Sequence, residues 1–380
     1  MRTAYVAREP DADLAAKLCA RGRSTDGRWI GSIYDGEVAG ERSGWRMPAE
    51  TEPHDRTLMC WPARREIWGE ELAAAHLVYA EIANQIEPFE PVTMIVRPED
   101  RSRAAALCGP RVELVELAID DSWSRDSGPI CVLDKHGRRL ALDFRFNGWG
   151  QKFGPYANDD ALAARWATRA GMVASRVELV LEGGSIAVDG EGTLATTQQC
   201  LLHPNRNPDL ARVEIEAVLE RELGVSTTLW LPFGLALDDD TDGHVDNVAA
   251  FPQPGIVLLQ GCQDRTEADH ERLLVNLRWA LGATDARGRR LAVVEVPVLP
   301  FAAIGGERVP VPYLNLYAGN GFVIVPVTGH RADEEMLAII GSCYPGRRVI
   351  PMPGEVLALG GGGPHCITQQ IPAARPERSS

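Results

Sequence analysis

A thiol, an imidazole and a set of carboxylates supply the reactive chemistry of this chain, and each lies beside glycines. Near the C-terminus the run Gly360 to Gly363 leads through Pro364 and His365 into Cys366. Consecutive glycines permit backbone conformations and close approaches that a Cβ forbids, and the proline stiffens the exit, which suits a thiol presented to a ligand. A cysteine can equally be a small buried hydrophobe; the glycine run tips Cys366 toward reactivity. Asp238 to Asn247 opens like an EF-hand loop, but position twelve, where calcium needs a glutamate, is Ala249, and the flanks read as strands, so a calcium loop is rejected. What stands out there is His244 followed two residues later by Asp246. On extended backbone both side chains share a face, and an imidazole beside a carboxylate can bind substrate and move protons.

Three further segments carry carboxylates or aromatic rings next to turn residues. Glu182 ends an apolar strand just before Gly183-Gly184, which admit a close neighbour; it could equally cap a turn. Asp120 to Pro129 crowds three acids around Trp123. A ring face and a carboxylate, Trp123 with Asp126, suit a planar cation, although aspartates also make turns and caps. Asn147 to Phe153 is a second glycine-interrupted aromatic loop, built around Trp149.

The order of these groups discriminates among thiol chemistries. A papain-like protease places its cysteine early and its histidine after it, whereas here carboxylates and a histidine precede a cysteine near the C-terminal end. Two carboxylates are more than a protease needs. They match a guanidinium, whose planar fork of N–H donors pairs bidentately with carboxylates.

Bulk properties narrow the class. The 380 residues are 45% hydrophobic, enough for a large core, and a formal charge of −14 argues against a nucleic-acid partner while permitting a small cation. No apolar run approaches the ~20 residues of a membrane span, and the N-terminus lacks a signal-peptide core, so a cytoplasmic protein with no membrane partner is expected. The eight cysteines include no C-x-x-C pair, which suggests neither a zinc site nor a disulfide framework.

The elements that must position these groups alternate in type. Residues 1–45 read as a weakly ordered extension with one short helix. Strands are expected at 57–62, 91–96, 112–117, 130–133, 140–144, 177–181, 186–188, 194–196, 227–231, 248–251, 256–260, 291–296, 315–318, 322–325 and 347–351. Helices are expected over 70–86, 159–170, 209–222, 266–281 with Thr266 as N-cap, and 332–340. Strand, strand, helix, strand recurs at roughly 60 to 70 residues, which points to a repeated module rather than a doubly wound sheet. One domain over 46–372 and a tail over 373–380 follow.

Six motifs, in order, resemble those of the agmatine deiminases: Met47 to His54, Trp123 to Pro129, Asn147 to Gly150, Leu181 to Ser185, Asp242 to Asn247, and His365 to Gln370. These enzymes belong to the guanidino-group-modifying enzymes of the pentein fold. The resemblance implies an α/β fold, a five-bladed α/β propeller of ββαβ modules around a central polar site. It implies Cys366 as nucleophile, His244 as general acid/base, Asp126 and Asp246 as the guanidinium clamp, and Glu182 as the group that orients His244. It also implies no metal or organic cofactor and a small cationic guanidine as partner, and it leaves a homo-oligomer open. Three positions depart from the family: Asp240 stands where a glutamate is usual, Thr51 replaces a tryptophan, and Pro364 precedes His365. An acidic Asp240 at the substrate tail favours an amine over a carboxylate, with Trp123 and Trp149 flanking the aliphatic stem. Agmatine hydrolysis is therefore expected. Deimination of another guanidine or of peptidyl arginine, amidino transfer, and a non-catalytic acidic module binding a cation through residues 238–246 are the alternatives.

Overall fold

The computed structural model describes residues 44–374 apart from residue 305. All but the last two residues of the expected extension over 1–45, and most of the expected tail over 373–380, lie outside the described residues.

The strand, strand, helix, strand pattern occurs five times. In four successive units a strand pairs antiparallel with the next, which pairs parallel with a third. These are Ile130–Leu133, Arg139–Arg145 and Ala174–Val180; Ala187–Val188, Thr193–Thr197 and Thr227–Leu231; Ala249–Gln253, Ile256–Gln260 and Ala292–Val296; and Tyr317–Gly319, Phe322–Val327 and Arg348–Pro353. A short turn suffices for the antiparallel step. The parallel step needs a crossover, supplied by helices Leu162–Arg169, Arg212–Leu223, Asp269–Ala280 and Asp333–Cys343. The fifth unit is shared between the two ends of the domain: Gln369–Pro372 runs antiparallel to His54–Cys60, which pairs parallel with Val92–Val96 across helix Leu72–Ile86. Val112–Glu116 extends that sheet at its edge. These are the five repeated ββαβ modules of the α/β fold implied above. Because its last strand joins its first, the residues just before Gln369 are carried into the sheet that starts the domain.

Helix Leu72–Ile86 illustrates how the sequence drives this. Ala75, His76, Tyr79, Ile82, Ala83 and Ile86 recur at helical spacing and are buried against Val92, Met94 and Trp68. Full burial of side chains such as Ile82 and Ile86 contributes about 1.5–3 kcal/mol each. Tyr79 crosses this face to hydrogen-bond Ser122 at 2.9 Å, which ties the helix to the segment bearing Trp123 and Asp126.

Several boundaries differ from expectation for local reasons. Thr266 does not cap the helix, which starts at Asp269; its amide and hydroxyl instead bind the Asp264 carboxylate at 2.9 and 2.7 Å, closing a turn upstream. The helix expected over 159–170 is two pieces, Ala157–Asp160 and Leu162–Arg169, interrupted at Ala161, while Asp159 turns inward to accept the Asp120 amide. The hairpin Phe301–Ile304 with Glu307–Pro310, the one-turn helix Glu355–Leu359 and the closing strand Gln369–Pro372 were not anticipated. Among the described residues no helix is long and apolar enough to cross a membrane, and seven cysteines carry free thiols.

Candidate active site

Cys366 sits in the turn Pro364–Ile367 that precedes the closing strand. The Thr368 hydroxyl donates to the Pro364 carbonyl at 2.8 Å, so Pro364 opens the turn and supplies its acceptor. The loop is strapped onto the one-turn helix Ser124–Ser127: the Arg125 amide donates to the Cys366 carbonyl at 3.2 Å, and the Ser124 hydroxyl to the Ile367 carbonyl at 2.8 Å. That brings Asp126 and the thiol to one place. Gly362 is needed for the approach, since a Cβ there would stand 2.5 Å from the Trp123 ring and 3.1 Å from the Cys366 Sγ.

The backbone between His244 and Asp246 is not extended, because Val245–Asn247 forms a turn of 3-10 helix. The two side chains converge nonetheless around Gly184. A Cβ on Gly184 would lie 2.6 Å from His244 Nδ1, 2.8 Å from Asp126 Oδ1 and 3.0 Å from Asp246 Oδ2. The missing side chain is therefore the space these three groups share, and the Gly184 amide itself donates to Asp126 Oδ1 at 2.8 Å. Asp126 Oδ2 accepts from Trp149 Nε1 at 2.9 Å. The thiol of Cys366 lies 3.4 Å from Asp246 Oδ2, which accepts from it, while Asn315 Nδ2 donates to the sulfur at 3.1 Å.

Charges alternate outward from the carboxylates of Asp126 and Asp246. On one side His244 Nδ1 is 3.9 Å from Asp126 Oδ2, and one atom each of Glu182, Cys200 and His244 lies within 4.8 Å of the others. Behind them Arg206 Nε binds Glu182 Oε1 at 2.6 Å, with both side chains fully buried. On the other side His365 Nδ1 is 2.9 Å from Asp246 Oδ2 and its Nε2 2.9 Å from Glu50 Oε2, which Arg125 also binds at 3.1 Å. Each arm reads cation, carboxylate, imidazole, carboxylate.

The titrations follow from this order. Burial pushes the His244 imidazole down, but Asp126, Cys200 and Glu182 more than reverse this and hold it well above its ordinary range. Burial and the neighbouring acids Asp246 and Glu182 raise Asp126, against the opposing His244. Asp246 goes the other way: burial opposes it, but hydrogen bonding and the charge of His365 bring it below the usual carboxylate range. Burial, with Asp246 and Asp126 adding, pushes the Cys366 thiol well up, so in the free enzyme it holds its proton.

A cavity reaches these groups from one side, lined by Cys366, Asp126, Trp123, Trp149, Phe153 and Asp240. Trp123 is stacked on Trp68 at 5.8 Å, so its ring is fixed. All eight expected site residues are thus brought together, with Glu182 behind His244 rather than hydrogen-bonded to it. Asp240 is solvent-exposed at the cavity wall. Glu182, Cys200 and His244 have the donor types of a metal site, but Arg206 already holds Glu182 and opposes a dication there. The acidic stretch that resembles a calcium loop is turned inward on itself. Asp238 accepts from Thr241, the His244 amide and Asn247, and Asp242 binds Lys152 and Arg206.

Sequence reasoning missed Arg206, Asn315, and the roles of Glu50, Arg125 and His365. Glu50 and His365 lay inside quoted motifs, where an acid and a histidine with no assigned role were the available signal. Arg206 and Asn315 sit in irregular segments and gave none.

The sequence profile of the Porphyromonas-type peptidyl-arginine deiminases matches residues 46–372. The chain is 40% identical over 356 residues to an agmatine deiminase of Stutzerimonas stutzeri, covering 87% of this chain and 96% of that one. It is equally 40% identical over 354 residues to the agmatine deiminase of Ectopseudomonas mendocina, covering 87% and 96%. Among solved structures, the agmatine deiminase of Enterococcus faecalis superposes with a TM-score of 0.85 at 31% identity, covering 89% of this chain and 99% of its own. With a match spanning nearly the whole described domain, the chain belongs to the Porphyromonas-type peptidyl-arginine deiminase family.

Proposed function

We propose that the protein is an agmatine deiminase, hydrolysing agmatine to N-carbamoylputrescine and ammonia through a covalent S-alkylthiouronium on Cys366. The observation that carries this reading is the convergence of Asp126, His244 and Asp246 on Gly184, with the Cys366 thiol 3.4 Å from Asp246. Two carboxylates beside one thiol suit a planar cation whose central carbon is to be attacked. The names of the relatives and the acidic Asp240 at the cavity wall favour an amine-tailed guanidine. The free thiols suit a reducing, cytoplasmic compartment.

The steps follow from charge. The guanidinium enters between Asp126 and Asp246, and its positive charge offsets the two acids that hold the thiol protonated, so the Cys366 proton is released to solvent. The thiolate forms an S–C bond to the guanidinium carbon, and the C=N electron pair moves onto nitrogen. His244, held protonated, gives its proton to the departing nitrogen, the C–N bond breaks and ammonia leaves. Water then adds to the thiouronium carbon as His244 takes its proton. The C–S bond breaks as the C=O bond forms, sulfur takes the pair, the remaining hydroxyl proton passes to solvent, and the ureido product leaves. Glu182 stabilises the charged form of His244 in this scheme.

Incubating the pure protein with agmatine, free arginine and an arginine peptide while following ammonia release tests the assignment. Agmatine should be turned over fastest, and Cys366→Ala should release no ammonia. A wild-type protein inert toward agmatine would sink the reading.

A further inference from the structure

Beside the two carboxylates of the proposed clamp lies a histidine to which the proposed reaction gives no role. The His365 side chain, 12% exposed, lies with Glu50 and Asp246 on opposite sides of its ring, Nε2 at 2.9 Å from Glu50 Oε2 and Nδ1 at 2.9 Å from Asp246 Oδ2. A carboxylate only accepts hydrogen bonds, so a ring between two of them satisfies both contacts by donating from both nitrogens, which is the imidazolium form. Glu50 cannot easily take over the proton. Its Oε1 accepts the Ala318 amide at 2.8 Å, Arg125 Nη2 binds its Oε2 at 3.1 Å, and its carboxyl is held down at about 2, burial opposing and His365 and Arg125 lowering it.

The remaining neighbours fix the polarity of this arrangement. Burial opposes the imidazolium, as does Arg125, which lies beside the ring and donates from Nε to the His365 carbonyl at 3.3 Å; the Glu50 and Asp246 carboxylates favour it. The Cys366 thiol lies on Asp246 from the next residue, and the positive His244 acts on Asp246 from across the Gly184 space. With Oδ2 engaged by His365 and the thiol, the buried Asp246 Oδ1 has no partner among the described residues.

We propose that His365 is a positioning residue, a permanently protonated ring that keeps Asp246 ionised and rotated so that Oδ1 is left for the guanidinium. This rests on the reading of the site as a guanidine clamp. The consequence is a function for the His-Cys pair in the sequence: one residue supplies the nucleophile and its neighbour sets the charge of the carboxylate facing it. Removing the imidazolium should let Asp246 hold a proton at higher pH, and a protonated Asp246 loses its attraction for a cation.

Two measurements test this. In kinetics, His365→Asn keeps a donor toward Asp246 and removes the charge. The acid limb of its kcat/KM profile should move up by about one pH unit or more, which is about tenfold on that limb. The loss should sit mainly in KM and recover at alkaline pH, and His365→Ala should be worse than His365→Asn. A loss equal at every pH means a merely structural role and overturns the proposal. The second measurement needs no substrate: nitrogen-15 NMR of the histidine-labelled wild-type protein, with His365→Asn used for assignment. Both ring nitrogens of His365 should remain protonated at pH 8. A neutral ring there overturns the proposal whichever guanidine is turned over, and a protonated ring in a protein inert toward agmatine places the fault in the substrate assignment instead.

Discussion

Gly184→Ala is the most pointed perturbation of this site because it adds one methyl and removes nothing. Gly184 is not in the left-handed region, so alanine carries no backbone penalty, and its amide can still donate to Asp126. The added Cβ would nevertheless stand 2.6 Å from His244 Nδ1, where ordinary contact begins at 3.4 Å. His244 must therefore move by about 0.8 Å, or Asp126 and Asp246 must open. A displacement of that order at reacting groups costs about 10²-fold in rate, or about 2.7 kcal/mol of barrier, and overpacking a filled interior costs about 1–3 kcal/mol of stability. The assay is steady-state ammonia release from agmatine across substrate concentrations, read with thermal melting of the same preparation. Gly282→Ala, whose Cβ would meet its nearest neighbour at an unstrained 3.5 Å, serves as control. A Gly184→Ala protein that melts like wild type and keeps kcat/KM within about threefold would refute the convergence of the three groups on this space.

Other outcomes follow from the same geometry. Arg206→Met leaves Glu182 buried without its cation and should cost about 3–5 kcal/mol in urea denaturation; a loss under about 1 kcal/mol would show the pair to be dispensable. Asp240→Asn removes a charge at an exposed cavity wall and should raise KM for agmatine by up to about tenfold with kcat nearly unchanged, and an unchanged KM would remove Asp240 from the tail site. Burial raises Asp159 to about 8, so the folded state holds a proton that the unfolded chain releases near pH 4. Stability from this group therefore falls as pH rises from about 4 to 8, by as much as about 1.4 kcal/mol per unit. Asp159→Asn does not titrate, so its melting temperature relative to wild type should rise between pH 5 and 8; a constant difference would count against the shift.

The repeat was legible because crossover helices and their flanking strands differ in period. The apolar spacing of residues 72–86 and the run Val92–Val96, apolar except for Thr93, each specify an element on their own. Gln369–Pro372 was invisible as a strand because four polar and apolar residues carry no period, and its pairing with His54–Cys60 joins residues more than 300 apart. In the site, the reactive groups were legible by residue type, since a glycine-flanked cysteine and a histidine two residues from an aspartate stand out. The groups behind them were not. Arg206 and Glu50 act through contacts at long sequence separation, and nothing in an arginine's local sequence marks it as the counter-ion of a glutamate 24 residues away.

The charge pattern also decides between a catalytic site and a plain cation-binding module. A bare metal ion is held by several free oxygens converging on a point. Here Asp238 and Asp242 are engaged by their own chain, and Asp126 already accepts from Trp149 and Gly184. What the site offers is narrower: two carboxylates set apart, each backed by an imidazolium and then by a carboxylate and an arginine. Each arm sums to zero charge, so the empty site is neutral and gives a spherical cation little advantage. A guanidinium gains because its fork of N–H donors can engage both carboxylates at once. Its single positive charge then leaves the site one charge out of balance, and the Cys366 thiol beside Asp246 can restore neutrality by losing a proton. In the proposed reaction, substrate binding therefore favours thiol ionisation, and the Cys366 thiol, strongly disfavoured as a thiolate in the free protein, becomes available where the guanidinium is bound.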